Sequence, residues 1–529
     1  MRKPAYWLLF LLVFPATFAQ AQDWPQWRGP TRDGVAPAGP KLLNAWPTNG
    51  AGPKLVWQSD PIPSGPKGGA GSVTVAGGRA FLYVHARQTK GKVILSTKDL
   101  NDLGWMEGVP EDLVKKIDES IKSEKWRKLK PDTPAMETYI QEFTATLDPA
   151  LATKYGDFIH NRMKQQPLSW NGLTIMARIR DKEVPAIEHL DSQVGISEHE
   201  AVYCDAFNVI KAKLNERSCA YLDTVICLDA TTGKELWRKN FPGANTKQMA
   251  YWGASGTPAI WDGKCYVTGS AGFYCLRVKD GSVVWQARTR FSNSSPLIAN
   301  GVVYCMVPEL TAYDPKTGRV LWTNSIANTC GSVVPWSYGG TNYVIGQSES
   351  DRYGQLFCVN VETGRVMWTT YSSGSGATPF IVGDALLSRG GNGGGLIKFK
   401  LSPEKAEKVW GVNCDGDPGS PVVFQDCVYV TGGHCCPDQV LCLDWNTGQK
   451  KWTNWKEEVR CSSPVLADGK LFTAGKTCEI FMLQPSAEKY TELGHFNAHI
   501  AACTSPTIAN GKLFVREDEA VACYDLVSP

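Results

Sequence analysis

The sequence predicts an all-β fold, an eight-bladed β-propeller of four-stranded antiparallel blades. Three observations carry that expectation. The stretch from Ser294 to Trp322 writes four short strands joined by turns. Copies of it recur along the chain, with tryptophans about 37 to 48 residues apart, a period that suits four strands per unit. Eight copies open but only seven complete fourth strands follow, and the unmatched Leu55-Val56-Trp57 supplies the eighth. Pairing that N-terminal strand with the last blade closes the ring and removes its exposed edges.

Within the unit, Ser295-Pro296 opens a short apolar run from Leu297 to Ala299, and Asn300-Gly301 is a two-residue hairpin signal. Val302 to Met306 is the second strand, and a third ends at Asp314. Asp314 suits a turn because its carboxylate accepts from turn amides, and Gly318 suits the left-handed position that follows. Arg319 to Trp322 is the fourth strand, which places Trp322 against the neighbouring blade. A single meander leaves a face uncovered, so it needs copies beside it.

The chain runs as follows. Arg2 and Lys3, an apolar run from Ala5 to Phe18 and the small-x-small Ala19-Gln20-Ala21 read as a signal peptide over residues 1–21. The expectation is an exported chain, periplasmic or secreted, beginning at Gln22. No later run is long and apolar enough to span a membrane. Residues 22–54 are rich in Pro and Gly and read as an extended segment, with Trp24 and Trp27 anchoring it to the domain surface. Residues 55–529 form the propeller. Its first blade opens at Gly71-Ser72-Val73 and is interrupted by a helical insertion over residues 87–220. There Leu113, Ile117, Ile121 and Trp126 lie near one helical face of Pro110 to Lys128, and Pro134 to Leu147 and Pro149 to Met163 read as further helices. The blade resumes at Thr224 and continues through Asp229, Gly233 and Trp237. Later blades carry Trp285; Asp314, Gly318 and Trp322; Gly364 and Trp368; Trp410; and Asp444, Gly448 and Trp452, with Trp57 completing the set.

Composition excludes little. The net charge of +3 gives no electrostatic case for nucleic acid. The 17 cysteines are an odd number, so one chain leaves at least one thiol unpaired. Cys227, Cys275, Cys358, Cys442 and Cys523 recur in third strands, and Cys265, Cys305 and Cys427 fall in second strands, which suits small buried hydrophobes. No C-x-x-C-H haem motif and no G-x-S-x-G hydrolase elbow occurs.

The pattern D-x-x-T-G-x-x-x-W, with Ser/Thr-Pro opening the next blade, resembles the pyrroloquinoline-quinone (PQQ)-type propeller repeat from about Leu55 to Asp525. The opening DWPQWRGPTRDGV resembles exported PQQ-like propeller proteins of bacteria. Two families share the repeat. The resemblance to quinoprotein alcohol dehydrogenases implies PQQ and calcium as cofactors. The resemblance to propellers like the assembly lipoprotein BamB implies a non-enzymatic protein-binding role.

In such a ring the loops between second and third strands share one face with the loops that cross between blades, so the insertion belongs on that face. Gly433-His434-Cys435-Cys436-Pro437 also falls there. Adjacent cysteines suit a vicinal disulfide, which quinoprotein alcohol dehydrogenases hold against the cofactor. The pair lies here in the sixth unit, not the early one of that family. A loop staple, a redox or cofactor role, and a metal site with His434 all stay open. Arg352, beside Glu349 and Asp351, and Asp415 and Asp417 are the other candidate cofactor contacts, with Arg460 and His499 in crossing loops. Gly390 to Gly395 lacks the strand–turn–helix setting of a phosphate loop. Glu188-His189 and Glu198-His199-Glu200 in the insertion read as surface or metal-binding residues. The expected function is an exported, non-catalytic binding or scaffold propeller that meets a protein or other macromolecule through the loop face and the insertion. The alternative is a PQQ- and calcium-dependent dehydrogenase acting on an alcohol or sugar.

Overall fold

The computed structural model describes residues 22–527 except 48–49, 65–67, 165–166, 245–254, 328–329, 349–353, 373–376, 390–394, 415–418, 432–439, 455–461, 476 and 502. The chain divides into two compact units. One takes in residues up to Arg87 and from Tyr221 onward, and the other is Gln88–Ala220.

The first unit contains eight four-stranded antiparallel sheets among the described residues. The third blade is representative, with strands Leu297–Ala299, Val302–Met306, Glu309–Tyr313 and Val320–Ala327. Its inner strands are buried and its outermost strand is largely exposed. In the last blade the fourth strand is Lys54–Gln58, which pairs antiparallel with the C-terminal strand Val521–Asp525, Lys54 opposite Asp525. The two ends of the ring therefore share one sheet.

Two sets of contacts join neighbouring blades. In the outer set, seven tryptophans each donate from Nε1 to a turn carbonyl of the next blade. Trp57 reaches Ala230, Trp237 reaches Val278 and Trp285 reaches Pro315, and the other four are Trp322, Trp368, Trp410 and Trp452. Four of these turns are ordered by an Asp or Asn. Asp314 Oδ1 accepts from Lys316 N, Thr317 N and Thr317 Oγ1, and Asp229, Asn360 and Asp444 repeat the arrangement. Gly318 has φ +73°, and a Cβ there would lie 2.5 Å from the Trp285 ring. The repeat glycine thus answers two demands at once, backbone hand and room for the indole.

The inner set explains the Ser/Thr that opens each blade. Ser72 N donates to Thr257 Oγ1, Thr257 N to Ser295 Oγ, Ser295 N to Ser332 Oγ and Ser332 N to Thr378 Oγ1. Ser420 Oγ donates to Thr378 O, and Ser420 N to Ser463 Oγ. Ser463 N donates to Ser505 Oγ, and Ser505 N returns to Ser72 Oγ. The belt closes on itself after eight links, one per blade. Eight strand-borne cysteines (Cys227, Cys265, Cys275, Cys305, Cys358, Cys427, Cys442 and Cys523) are free and buried in the sheets. Burial pushes the Cys227 and Cys523 thiols up to about 12, as expected for packing groups rather than nucleophiles.

The second unit holds nine α-helices among its described residues: α1 (Thr97–Asp102), α2 (Glu111–Ile121), α3 (Glu124–Arg127), α4 (Pro134–Ala145), α5 (Pro149–Lys164), α6 (Trp170–Met176), α7 (Leu190–Val194), α8 (Glu198–Tyr203) and α9 (Asp205–Arg217). Leu113, Ile117 and Ile121 form the buried stripe of α2 and pack with Ile140 and Ile159. Ser and Thr caps set the starts of α1, α3, α4, α6 and α8, where each side chain accepts from an N-terminal amide. The helices α6 to α8 are short, and sequence periodicity did not register them because two turns are too few for a repeating stripe.

Candidate functional site

The ring's centre is occupied by the chain itself. Residues 22–36, expected on the domain surface, instead run across the inner strands of all eight blades. Gln22 N donates to Asn510 Oδ1 in the eighth blade. Trp24 pairs with Val75, Pro25 O accepts from Ile260 N, and Gln26 Oε1 accepts from Ile298 N. Gly34 and Ala36 pair with Leu466. Trp24 is buried in the core of the first and last blades rather than lying on the outside.

Two guanidinium groups fix this segment. Arg32 donates to Val333 O at 2.7 Å and to the Ser295 and Pro296 carbonyls. Arg28 donates to Ser420 O and Pro421 O, and sits over the Phe380 ring. Both are almost wholly buried. Burial pushes Arg32 down to about 9 and Arg28 to about 10, because their partners are mostly neutral carbonyls. The geometry needs a fork of donors that meets two strands at once, which arginine supplies and lysine does not.

Above this level the second strands make a further tier of stitches. Thr431 Oγ1 donates to Ser462 O, Arg389 Nη1 to Gly419 O and Arg516 Nη1 to Gly71 O. Each acceptor precedes the belt residue of the next blade.

A buried polar cluster joins the first and second blades. The buried Asp223 carboxylate accepts from Tyr83 Oη at 2.7 Å, Tyr274 Oη at 2.9 Å, Ser270 Oγ at 2.6 Å and Ser270 N at 2.8 Å. His85 Nδ1 lies 3.3 Å away and the imidazole stacks on Tyr221. Burial alone would raise the Asp223 pKa, but the hydrogen bonds from His85, Ser270 and Tyr83 outweigh it and the net shift is downward. The Tyr83 hydroxyl is pushed well up, first by burial and then by the adjacent carboxylate. His85 Nε2 is buried and has no hydrogen-bond partner among the described residues. The carboxylate favours the tautomer that carries hydrogen on Nδ1, leaving Nε2 as an acceptor. Sequence reasoning missed this cluster, as it missed Arg28 and Arg32, because none of these residues belongs to the repeat pattern.

The residues singled out from sequence are placed as follows. Arg352, Asp415, Asp417, His434, Cys435 and Cys436 lie outside the described residues, as do Glu349, Asp351 and Arg460. His499 has φ +50°, and its amide donates to Asn497 Oδ1. Glu200 caps α8 by accepting from Ser197 N and Oγ, and His199 packs edge-on against Tyr203. No three His, Cys, Asp or Glu side chains converge on a common point among the described residues.

Residues 223–454 match a family model described as outer membrane protein assembly factor BamB. That match covers less than half of the chain. The chain is similar to the tetrathionate hydrolase of Acidithiobacillus ferrooxidans, 24% identical over 245 residues, and to the polyvinylalcohol dehydrogenase of Sphingopyxis sp., 22% identical over 319 residues. These matches cover 39% and 48% of this chain, and in each case 44% of the relative, so the chain spans less than half the length of these relatives. Among solved structures it is similar to BamB from Moraxella catarrhalis, with 15% identity and TM-score 0.44 over 58% of this chain and 91% of that one. A europium-containing methanol dehydrogenase gives 11% identity and TM-score 0.42 over 56% and 80%.

Proposed function

We propose that this PQQ-type propeller is an exported, non-catalytic binding protein that recognises a protein or other macromolecule through its loop face and helical unit. The observation that supports this reading is the occupied ring centre. Arg28 and Arg32 spend their donors on strand carbonyls, so these cations hold the chain's own segment rather than a substrate. The helical unit, with apolar cores of its own, is the part of the chain that the repeat does not require. No helix among the described residues is long and apolar enough to cross a membrane. Export entails cleavage after Ala21, and the intact mass of the secreted chain checks it.

The test is capture of partners from a periplasmic fraction by the full chain and by a chain lacking residues 88–220. Loss of partners with the unit supports the reading, and an unchanged set overturns the role of the insertion. The alternative, a PQQ- and calcium-dependent dehydrogenase for an alcohol or sugar, draws on the Cys435-Cys436 pair and on the similarity to a polyvinylalcohol dehydrogenase. Adding PQQ and calcium to the purified chain tests it. Quinone absorbance with dye reduction on an alcohol panel would replace the binding reading.

A further inference from the structure

We propose that the helical unit carries a groove for an acidic peptide segment bearing one large apolar side chain. This deepens the reading of the unit as a recognition element and rests on it.

The groove has a volume of about 560 Å³, within the range of a ligand site. The end of α2 (Asp118, Ile121, Lys122), Trp126 and Arg127 of α3, Arg162 of α5 and the 167–169 stretch line it. All of these residues belong to the helical unit.

The walls are fixed before any ligand arrives. Arg162 is buried and grips Asp118 in a fork, Nε to Oδ1 at 2.9 Å and Nη2 to Oδ2 at 3.0 Å. Its remaining donor reaches Gly104 O and Leu168 O, and it sits over the Trp170 ring. Trp126 is held by Nε1 donating to Met163 O at 2.8 Å. Ser169 is held through its amide and hydroxyl on Asp205. Ile121, Trp126 and Leu168 therefore offer a rigid apolar floor, which lowers the entropy cost of binding.

Charge decides the ligand. Asp118 and Arg162 neutralise one another. The free charges at the mouth are Lys122 and Arg127, both exposed and with no acidic partner among the described residues. The contrast within α3 is informative. Lys125 is paired with Glu142, and Lys128 at the helix end is paired with Glu124, while Arg127 faces the groove unpaired. Two unpaired cations beside an apolar floor complement a peptide with carboxylates flanking a large apolar residue. A nucleic acid is a poorer match, since two cations neutralise too few phosphates.

The experiment uses the full chain and fluorescence anisotropy. The probe is a labelled peptide of glutamate and aspartate around a central leucine, with a lysine-substituted counterpart as control. The acidic peptide is expected to bind about tenfold more tightly than the basic one, with a preference that weakens as salt is raised. The K122E/R127E variant changes only exposed residues, so its melting temperature should match wild type while its preference reverses. Trp126→Ala should weaken binding of the acidic peptide. No saturable binding by wild type, or unchanged affinity in a K122E/R127E variant that melts normally, overturns the groove. If removal of residues 88–220 abolishes partner capture while K122E/R127E leaves it intact, the groove fails and the wider reading stands. If the peptide binds but removal leaves capture unchanged, the groove stands and the wider reading fails.

Discussion

In the propeller one set of contacts is repeated blade after blade, whereas the helical unit is held by contacts that each occur once. The ring links its blades by a Ser/Thr belt, by indoles on neighbouring turns and by cores that each span adjacent blades. The helical unit relies on two apolar clusters and on single pairs such as Arg162–Asp118 and Arg217–Asp99. Repetition spreads the cost of a local defect over many equivalent neighbours. A single buried cluster does not share its losses. The comparison also separates what is common to the ring from what is peculiar to one place in it. The segment carrying Arg28 and Arg32 is unrepeated yet touches every blade.

That segment should give the largest effect. Arg32→Ala leaves the Val333, Ser295 and Pro296 carbonyls without their donor at a buried site, and at about 1–3 kcal/mol for each unsatisfied group a loss of about 3–5 kcal/mol is expected. Denaturant unfolding of the full chain checks it, and a loss below 1 kcal/mol would break the contrast between plug and blade. Next is Ile117→Ala, which opens a cavity in the α2 stripe at about 2–4 kcal/mol. Hydrogen exchange should show faster opening in residues 88–220 and unchanged protection in the blades. Gly318→Ala follows at about 2–3 kcal/mol, from the left-handed backbone and the contact with Trp285. Ser295→Ala removes one acceptor from the belt and is expected to cost about 1–2 kcal/mol. Its cost should match that of Ser463→Ala in the seventh blade, since both perform the same task.

The smallest effect is a change of slope with pH. The folded pKa of Asp223 lies below its unfolded value, so the stabilisation is present above about pH 4 and is lost as pH falls through the folded value. Asp223→Asn removes that contribution. Wild type should therefore lose more stability than the variant between pH 5 and pH 3, as read by thermal melts across that range.

The fold was legible because its signals are periodic. Trp322, Gly318 and Asp314 can be counted in copies, and the unmatched Trp57 strand then demands closure with the last blade. The role of Ser295 was visible only as a motif, since the belt joins residues tens of positions apart and its acceptor is a hydroxyl on another blade. The path of residues 22–36 was misread. Pro and Gly signalled an extended chain correctly, but nothing local shows that Arg28 and Arg32 will find carbonyls hundreds of residues away. The same holds for Asp223 and His85, which meet across the insertion. In the helical unit, the α2 stripe announced itself at Leu113, Ile117 and Ile121, while short α6 to α8 depend on tertiary packing for their order.

The shared last sheet has a mechanical consequence. Lys54 and Asp525 lie side by side, so tension applied between them peels one hydrogen-bonded pair at a time rather than shearing the strand as a whole. Tension entering from Gln22 is intercepted earlier, because Arg28 and Arg32 tie the leading segment to carbonyls on several blades at once. The chain is thus weak as a zipper at one point of its circumference and anchored at its hub, so a pull on its front end is borne by the wheel before it reaches the seam.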